Sequence, residues 1–234
     1  MLSIIIPTLN EEKFLPRLLF SIKRQSFIDY EIIVSDGGSQ DKTKNIALEN
    51  GCKFVLDTEH HSPAWQRNNG AASTQGEILL FLDADSVLQD GFLESVVAEF
   101  ISRGLCGAGF YFDFNPNKIS YRIFSLLYHF FSFFRQYFSP VSVGAGIMAS
   151  KKTHDLIKGF NSEIILAEDY DYCNRLSRQG KFRMMKSCHL LYSSRRIEKE
   201  GWWSVALKWI WMASFTMLGR RVKEKIIKYD FGKY

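Results

Sequence analysis

Apolar and polar positions fall into repeating blocks over the first hundred residues. Residues 2–7, LSIIIP, read as one apolar run with β-branched residues at its centre. A run of that kind suits a strand buried on both faces, as in a parallel sheet. Asn10, Glu11 and Glu12 follow, and apolar residues then recur at Phe14, Leu15, Leu18, Leu19 and Ile22. This reads as an N-cap, an acidic first turn and a helical period. The block then repeats. A buried strand at 30–34 leads into the turn Asp36-Gly37-Gly38-Ser39, where Ser39 is placed to cap a helix reaching Asn50. A short strand at 53–56 precedes a helix from Ala64 to Ser73, and a strand at 77–82 precedes a helix opening at Asp90-Gly91 and ending near Ser102.

Such alternation predicts an α/β fold, a doubly wound, mostly parallel sheet with flanking helices. Ligands of such sheets sit at the carboxyl ends of the strands, where Thr8, Asp36 and Asp83 fall. The second half is less regular. It predicts strands at 107–114 and 143–149 and helices at Ile119–Phe138, Glu168–Arg178 and Trp202–Leu218. No repeat or Pro/Ser-rich linker divides the 234 residues, so a single domain is expected.

Charge changes this picture. Residues 1–117 carry 9 basic and 16 acidic side chains, a net of −7, whereas residues 118–234 carry 21 and 9, a net of +12. The acidic half suits a metal ion, and the basic half suits phosphates or an anionic membrane surface. The four cysteines, Cys52, Cys106, Cys173 and Cys188, form no CxxC pair, which leaves zinc and redox motifs unsupported. Four free thiols point to a reducing compartment. The N-terminus lacks the basic region of a leader, and no stretch of about 20 apolar residues is present. A cytoplasmic location is expected.

The sharpest chemical signal is Asp83-Ala84-Asp85-Ser86, directly after EILLFL. Two carboxylates two apart at a strand end converge on one hard cation, and magnesium or manganese takes such oxygen ligands. A lone DxD is common in turns, so its place after a buried strand is what gives it weight.

Around this motif the chain resembles the family 2 glycosyltransferases of GT-A fold. The matching stretches are SIIIPTLNEE (3–12), EIIVSDGGSQDKT (31–43), QRNNGAASTQGEILLFLDADS (66–86), VGAGIMASK (143–151), GF (159–160) and AEDYDYCNRLSRQGK (167–181), in the family's order. SSRRIEKEGWW (193–203) is similar to a subgroup of small membrane-associated members. The resemblance implies one glycosyltransferase domain over 1–234. Residues 1–117 would bind the nucleotide sugar and 118–200 the acceptor, with an amphipathic helical tail at 201–234.

It also implies roles. Pro7, Thr8, Asn10, Glu11, Asp36, Arg67, Asp83 and Ala84 would line the nucleotide pocket, and Asp85 with Asp83 would hold Mn2+ or Mg2+. Asp169, paired with Glu168, would be the general base, and Gly144, Ala145 and Gly146 would floor the acceptor site. The expected donor is a UDP- or GDP-sugar, the reaction an inverting transfer of one sugar, and the acceptor a hydroxyl or lipid-linked group. Two departures bear on this. Gly37 stands where many members carry a second Asp, which leaves base recognition open. The QxxRW motif of processive members is absent, which favours a single transfer; Arg195 and Arg196 form the nearest basic pair for a pyrophosphate.

Residues 119–138 place Ile119, Ile123, Leu126, Phe130, Phe134 and Phe138 on one helical face. Residues 202–218 carry Trp202, Trp203, Trp209, Trp211, Phe215 and Leu218, followed by Arg220, Arg221, Lys223, Lys225 and Lys228. Aromatic helices with a basic flank fit a membrane interface, although a core or dimer face has the same pattern.

Other classes fare worse. No GxSxG elbow supports Ser-His-Asp hydrolysis, and no GxGxxG follows the first strand. PTLNEE is not the Gly-rich loop of a nucleotidyltransferase. The aromatics cluster in apolar helices rather than among Arg and Lys, which disfavours nucleic acid. His60, His61, His154 and His189 are expected to be structural rather than metal ligands, with His61 in a loop near the donor. A non-catalytic nucleotide-sugar or membrane module is the competing reading, and intact Asp83, Asp85 and Asp169 argue against it.

Overall fold

The computed structural model describes residues 1–60, 62–113, 119–142 and 145–191, with Gly201, Ser204 and Lys208 beyond them. Seven strands form one sheet: β1 (Leu2–Thr8), β2 (Tyr30–Asp36), β3 (Lys53–Leu56), β4 (Ile78–Leu82), β5 (Gly107–Asp113), β6 (Gly146–Ser150) and β7 (Phe182–Leu191). Their order is β3-β2-β1-β4-β6-β5-β7. β1, β2, β3 and β4 run parallel. β6 lies antiparallel between β4 and β5, and β7 runs parallel to β5. Every strand except β6 therefore points its carboxyl end at the same edge of the sheet. The amino end of β6 joins that edge, where Gly146 pairs with Leu82.

The helices are α1 (Leu15–Lys23), α2 (Thr43–Glu49), α3 (Pro63–Ala72), α4 (Phe92–Ser102), α5 (Ile119–Arg135), α6 (Lys151–Leu156) and α7 (Glu168–Ser177). They cover both faces of the sheet, which explains the unbroken apolar strands. Ile4, Ile6, Leu80 and Leu82 enter one core with α1 and α4, while Ile5, Leu79 and Phe81 enter another with α3 and α7. Each such side chain fully withdrawn from water contributes roughly 1.5–3 kcal/mol. Gly70 lets α3 lie close on β1, because a Cβ there would come within 2.5 Å of Cγ2 of Ile5. That approach carries Arg67, one turn earlier, down to the sheet edge.

Within the described residues the strands and long helices expected from the pattern are present, and the differences have local causes. Asn10 is not an N-cap. Its φ is +59°, outside the extended region a cap uses, and α1 starts at Leu15 with Pro16 in its first turn. Ser39 does not cap α2, which begins four residues later. Both side chains instead bind the neighbouring loop: the Asn10 amide donates to Oγ of Ser39 at 2.8 Å, and Oδ1 of Asn10 accepts from the Gln40 amide at 2.9 Å. β7 and α6 were not expected. β7 carries the polar pair Lys186-Ser187 mid-strand, whose amides bind the Glu99 carboxylate of α4 at 2.8–3.1 Å. α6 is a short helix capped by Ser150, which accepts from the Thr153 amide at 3.1 Å.

α5 is turned inside out. Its buried side is Tyr121, Ser125, Tyr128, Ser132 and Arg135. The apolar stripe faces outward, with Ile119, Ile123, Leu126, Phe130, Phe134 and Phe138 between 50% and 77% exposed. The expected helix at 202–218 lies outside the described residues. Among the described residues, no helix is long and apolar enough to cross a membrane.

His154 of α6 is buried against α7, with Nδ1 2.7 Å from the Tyr172 hydroxyl. Burial pushes its pKa down to about 4; Asp155 opposes the shift, and Lys151 and Arg175 add to it. The unfolded chain protonates this group near pH 6.5. Because the folded value is depressed, the contribution is complete above pH 6.5 and is lost as the pH falls toward 4, reaching about 3 kcal/mol. Urea unfolding of His154→Gln should therefore show a shallower loss of stability between pH 6.5 and 4 than the parent. Equal slopes would refute this assignment.

Candidate active site

The carboxyl edge gathers the motif residues because the loops after β1, β2 and β4 all open there. The β1 and β2 loops are sewn together. Besides the Asn10 contacts, the Glu11 amide donates to Oγ1 of Thr43 at 2.9 Å and the Glu12 amide to Oδ2 of Asp41 at 3.0 Å. Asp36 closes β2 as a buried hub. Its Oδ1 accepts from the amides of Gly38 and Ser39 at 2.9 and 2.7 Å, and its Oδ2 from the hydroxyls of Thr8 and Ser39 at 2.8 and 2.6 Å. Pro7 sits half-buried in β1 beside Ser35. Gly37 leaves room that another side chain takes: a Cβ at that position would collide with Nε2 of buried Gln66. The space beside Gly37 is thus filled by an amide from α3, which sequence spacing could not reveal.

Beyond β4 the chain alternates its side chains. Asp83 and Asp85 are partly exposed, whereas Ala84 and Ser86 are buried. The Ser86 amide donates to the Asp83 carbonyl at 3.0 Å, which fixes a tight turn, and its hydroxyl donates to the Ala145 carbonyl at 3.3 Å. Ala145 and Gly146, expected as the acceptor floor, therefore lie directly against the DxD turn. Gly144, Arg195, Arg196 and His61 lie outside the described residues.

Glu168 and Asp169 open α7 after Ala167, whose φ of +65° is costly for a residue with a side chain. Strain of this kind clusters at functional sites. Carboxylates in the first helical turn also meet the positive end of the helix dipole.

Arg67 joins these elements. It is only 3% exposed. Its Nη2 donates to Oδ1 of Asp83 at 3.1 Å and its Nη1 to Oε1 of Glu168 at 2.9 Å. Its guanidinium also lies 5.3 Å from the centre of the Phe160 ring. Burial works against the Arg67 charge, but Asp83, Glu168 and Asp169 outweigh it and raise its pKa. Asp83 is raised as well: burial dominates, Arg67 opposes it, and the charges of Asp85 and Glu168 add to it. Arg67, expected to face the nucleotide, is held here by acids from both sides.

These residues fit a divalent cation by their chemistry. The donors at 83 and 85 are carboxylate oxygens, the ligands hard cations prefer. Asp83, Glu168 and Asp169 act on the Arg67 guanidinium and Asp85 acts on Asp83, an excess of negative charge that a 2+ ion would offset.

Sequence reading left two features unconnected. His60 turns out to bind Asp57, with Nδ1 3.1 Å from Oδ2, and to stack on Trp65 at 3.9 Å. His189, expected to stand alone, lies beside Asp113 and His129.

Known proteins agree with this architecture. Residues 3–155 match the family model described as glycosyl transferase family 2. Over 102 residues the chain is 36% identical to the GalNAc(5)-diNAcBac-PP-undecaprenol beta-1,3-glucosyltransferase of Campylobacter jejuni, covering 41% of this chain and 33% of that one. It is 38% identical over 106 residues to the 4,4'-diaponeurosporenoate glycosyltransferase of Staphylococcus haemolyticus, covering 42% of this chain and 28% of that one. The match thus spans about a third of the length of these relatives. Among solved structures, the Pyrobaculum calidifontis mannosyltransferase PcManGT, in complex with GDP-Man and Mn2+, superposes with a TM-score of 0.70 at 18% identity. That superposition covers 82% of this chain and 56% of the other. At such identity it shows a shared fold. The family model covers well over half of the chain, and the protein belongs to glycosyl transferase family 2.

Proposed function

We propose that this protein transfers one sugar, with inversion, from a UDP- or GDP-sugar to a hydroxyl on a lipid-linked acceptor at a membrane surface. The convergence of Asp83 and Glu168 on the single guanidinium of Arg67 carries the reading, because it brings the DxD turn and the acids of α7 to one end of the sheet.

Asp83 and Asp85 would hold magnesium or manganese, which supplies charge neutralisation at the departing diphosphate. The PcManGT complex with GDP-Man and Mn2+ supports this choice of donor and ion. The loops after β1 and β2, with Pro7, Thr8, Asn10, Glu11 and Asp36, would receive the nucleotide. Ala145 and Gly146 would sit under the acceptor, and Arg195 and Arg196 would grip the pyrophosphate. Asp169 would take the proton of the acceptor hydroxyl. The acceptor oxygen then forms its bond to the anomeric carbon as the bond from that carbon to the β-phosphate oxygen breaks, and configuration inverts. Glu168 holds Arg67, so it positions the cluster and leaves the neighbouring carboxylate to act as base.

The lipid-linked acceptor and the membrane surface rest on three observations. The Campylobacter relative's name specifies an undecaprenol-linked substrate. The outward stripe of α5 offers Ile123, Leu126, Phe130 and Phe134 to an apolar phase. The second half carries a net +12, which draws it to anionic headgroups. A helix of this kind lies in the interface rather than crossing it.

Three measurements test these assignments. Calorimetry with UDP- and GDP-sugars should show binding that requires manganese or magnesium, and Asp85→Ala should weaken it by roughly a hundredfold or more; metal-independent binding, or none, would favour a non-catalytic module. Asp169→Asn should keep donor affinity within about threefold while lowering transfer to a hydroxyl by roughly a thousandfold; full activity would remove Asp169 as the base. In sedimentation assays the parent should pellet with phosphatidylglycerol vesicles, and Leu126→Glu/Phe130→Glu should remain in the supernatant. A parent that stays soluble with every vesicle would overturn the membrane assignment.

A further inference from the structure

A second cluster of ligating side chains lies at the same edge of the sheet, apart from the acids at 83, 85 and 169. Asp113 ends β5, His129 lies in the middle of α5, and His189 lies near the end of β7. Nδ1 of His189 is 2.8 Å from Oδ2 of Asp113, and Nε2 of His129 is 3.5 Å from Oδ1 of the same carboxylate. One potential ligand atom from each residue lies within 4.8 Å of the other two. All three side chains are partly exposed, so an ion has a route in. Three segments far apart in sequence contribute one ligand each, a convergence that only the fold creates.

We propose that Asp113, His129 and His189 form a second metal site, specific for a transition metal of the zinc class. Two imidazoles and one carboxylate suit zinc, whereas the all-oxygen pair at 83 and 85 suits magnesium or manganese. An ion bonded at about 2.0–2.1 Å to imidazole nitrogen spaces its ligand atoms about 3.3 Å apart in a tetrahedron. The cluster reaches that spacing by small rotations. His189 moves back from its hydrogen bond to Asp113, and Nε2 of His129 gives up its contact with the Phe112 carbonyl at 3.0 Å. Tyr111 backs both rings, with centroid distances of 4.9 Å to His129 and 5.6 Å to His189, and so limits their other rotations. Three protein ligands leave the fourth position to water or to an incoming anionic group. The bound ion fastens α5 to β5 and β7. This site is independent of the transfer reaction proposed above.

The test uses the tag-free full chain carrying Asp85→Ala, which silences the oxygen site. Titration with Co2+ should give about one equivalent bound, with the intense visible bands of a four-coordinate ion, and Zn2+ should displace it. Adding His189→Ala or, separately, His129→Gln should weaken Zn2+ binding by more than about tenfold, since even loss of a residue that merely supports a ligand costs that much. Unfolding midpoints in EDTA would show that these variants remain folded. A chain that binds no Co2+ or Zn2+ beyond buffer-level affinity would overturn the proposal. So would a His129→Gln/His189→Ala double variant that binds as well as its Asp85→Ala parent.

Discussion

A buried guanidinium ties the carboxyl edge of the sheet together. Arg67 reaches that edge because α3 packs close on β1, and there it binds Asp83, the residue after β4, and Glu168 from α7. Taking Arg67 and Glu168 out of water costs several kcal/mol per ion, and their mutual attraction, with partly exposed Asp83 adding to it, offsets much of that. Replacing the three by apolar groups of similar volume would often be neutral for stability. The arrangement is therefore better explained by what it positions than by what it stabilises. It fixes the separation between the DxD turn and the first turn of α7, two elements that share no strand pairing. It also balances part of the negative charge that would otherwise drive them apart.

The legibility of the sequence follows from how locally each feature is determined. β1 and β4 bury nearly every side chain and β2 its second half, so their apolar runs announce them, and the strand ends deliver Thr8, Asp36 and Asp83 to one edge as expected. The DxD at 83–85 was visible for the same reason, lying at the end of a well-patterned strand, whereas the acids at 168–169 stood out only through the family resemblance. Asn10 and Ser39 misled because their polar side chains look like caps, yet each is consumed by a partner about 30 residues away. β7 escaped notice because its exposed Lys186-Ser187 breaks the apolar pattern. Gln66 in the space beside Gly37, and the grip of Arg67 on Asp83 and Glu168, depend on how α3 sits, which no local pattern encodes.

α5 shows where pattern and packing part. Its periodicity is that of an ordinary amphipathic helix, and ordinary packing would turn the Phe and Leu stripe inward. The opposite face, Tyr121, Ser125, Tyr128, Ser132 and Arg135, is buried instead. The Tyr128 hydroxyl reaches the Phe110 carbonyl at 3.4 Å, and Nε and Nη2 of Arg135 bind the carbonyl and hydroxyl of Ser139 at 2.7 and 2.6 Å. The Tyr128 contact, together with Nε2 of His129 3.0 Å from the Phe112 carbonyl, ties this face of the helix to β5. A contiguous apolar stripe left in water is unusual enough to mark an interaction surface, and the basic second half supplies long-range attraction to an anionic one.

The two clusters at the sheet edge also divide metals by chemistry. Carboxylates at 83 and 85 offer only oxygen, the donor that ions keeping water and phosphate in their shell favour. Imidazoles at 129 and 189 reverse that preference, since ring nitrogen binds borderline ions more tightly than it binds magnesium. His129 belongs to the helix whose apolar face points outward, so anything bound there acts on the orientation of that helix. Arg67 orders the acids on one side of the sheet edge, and the His–Asp–His group is placed to order α5 on the other. Between them lies β6, whose first residue pairs with the strand that ends in the DxD turn. Ala145 and Gly146 therefore lie between the DxD turn, which Ser86 ties to the Ala145 carbonyl, and the strand that ends at Asp113, so the two clusters are joined through one short antiparallel strand.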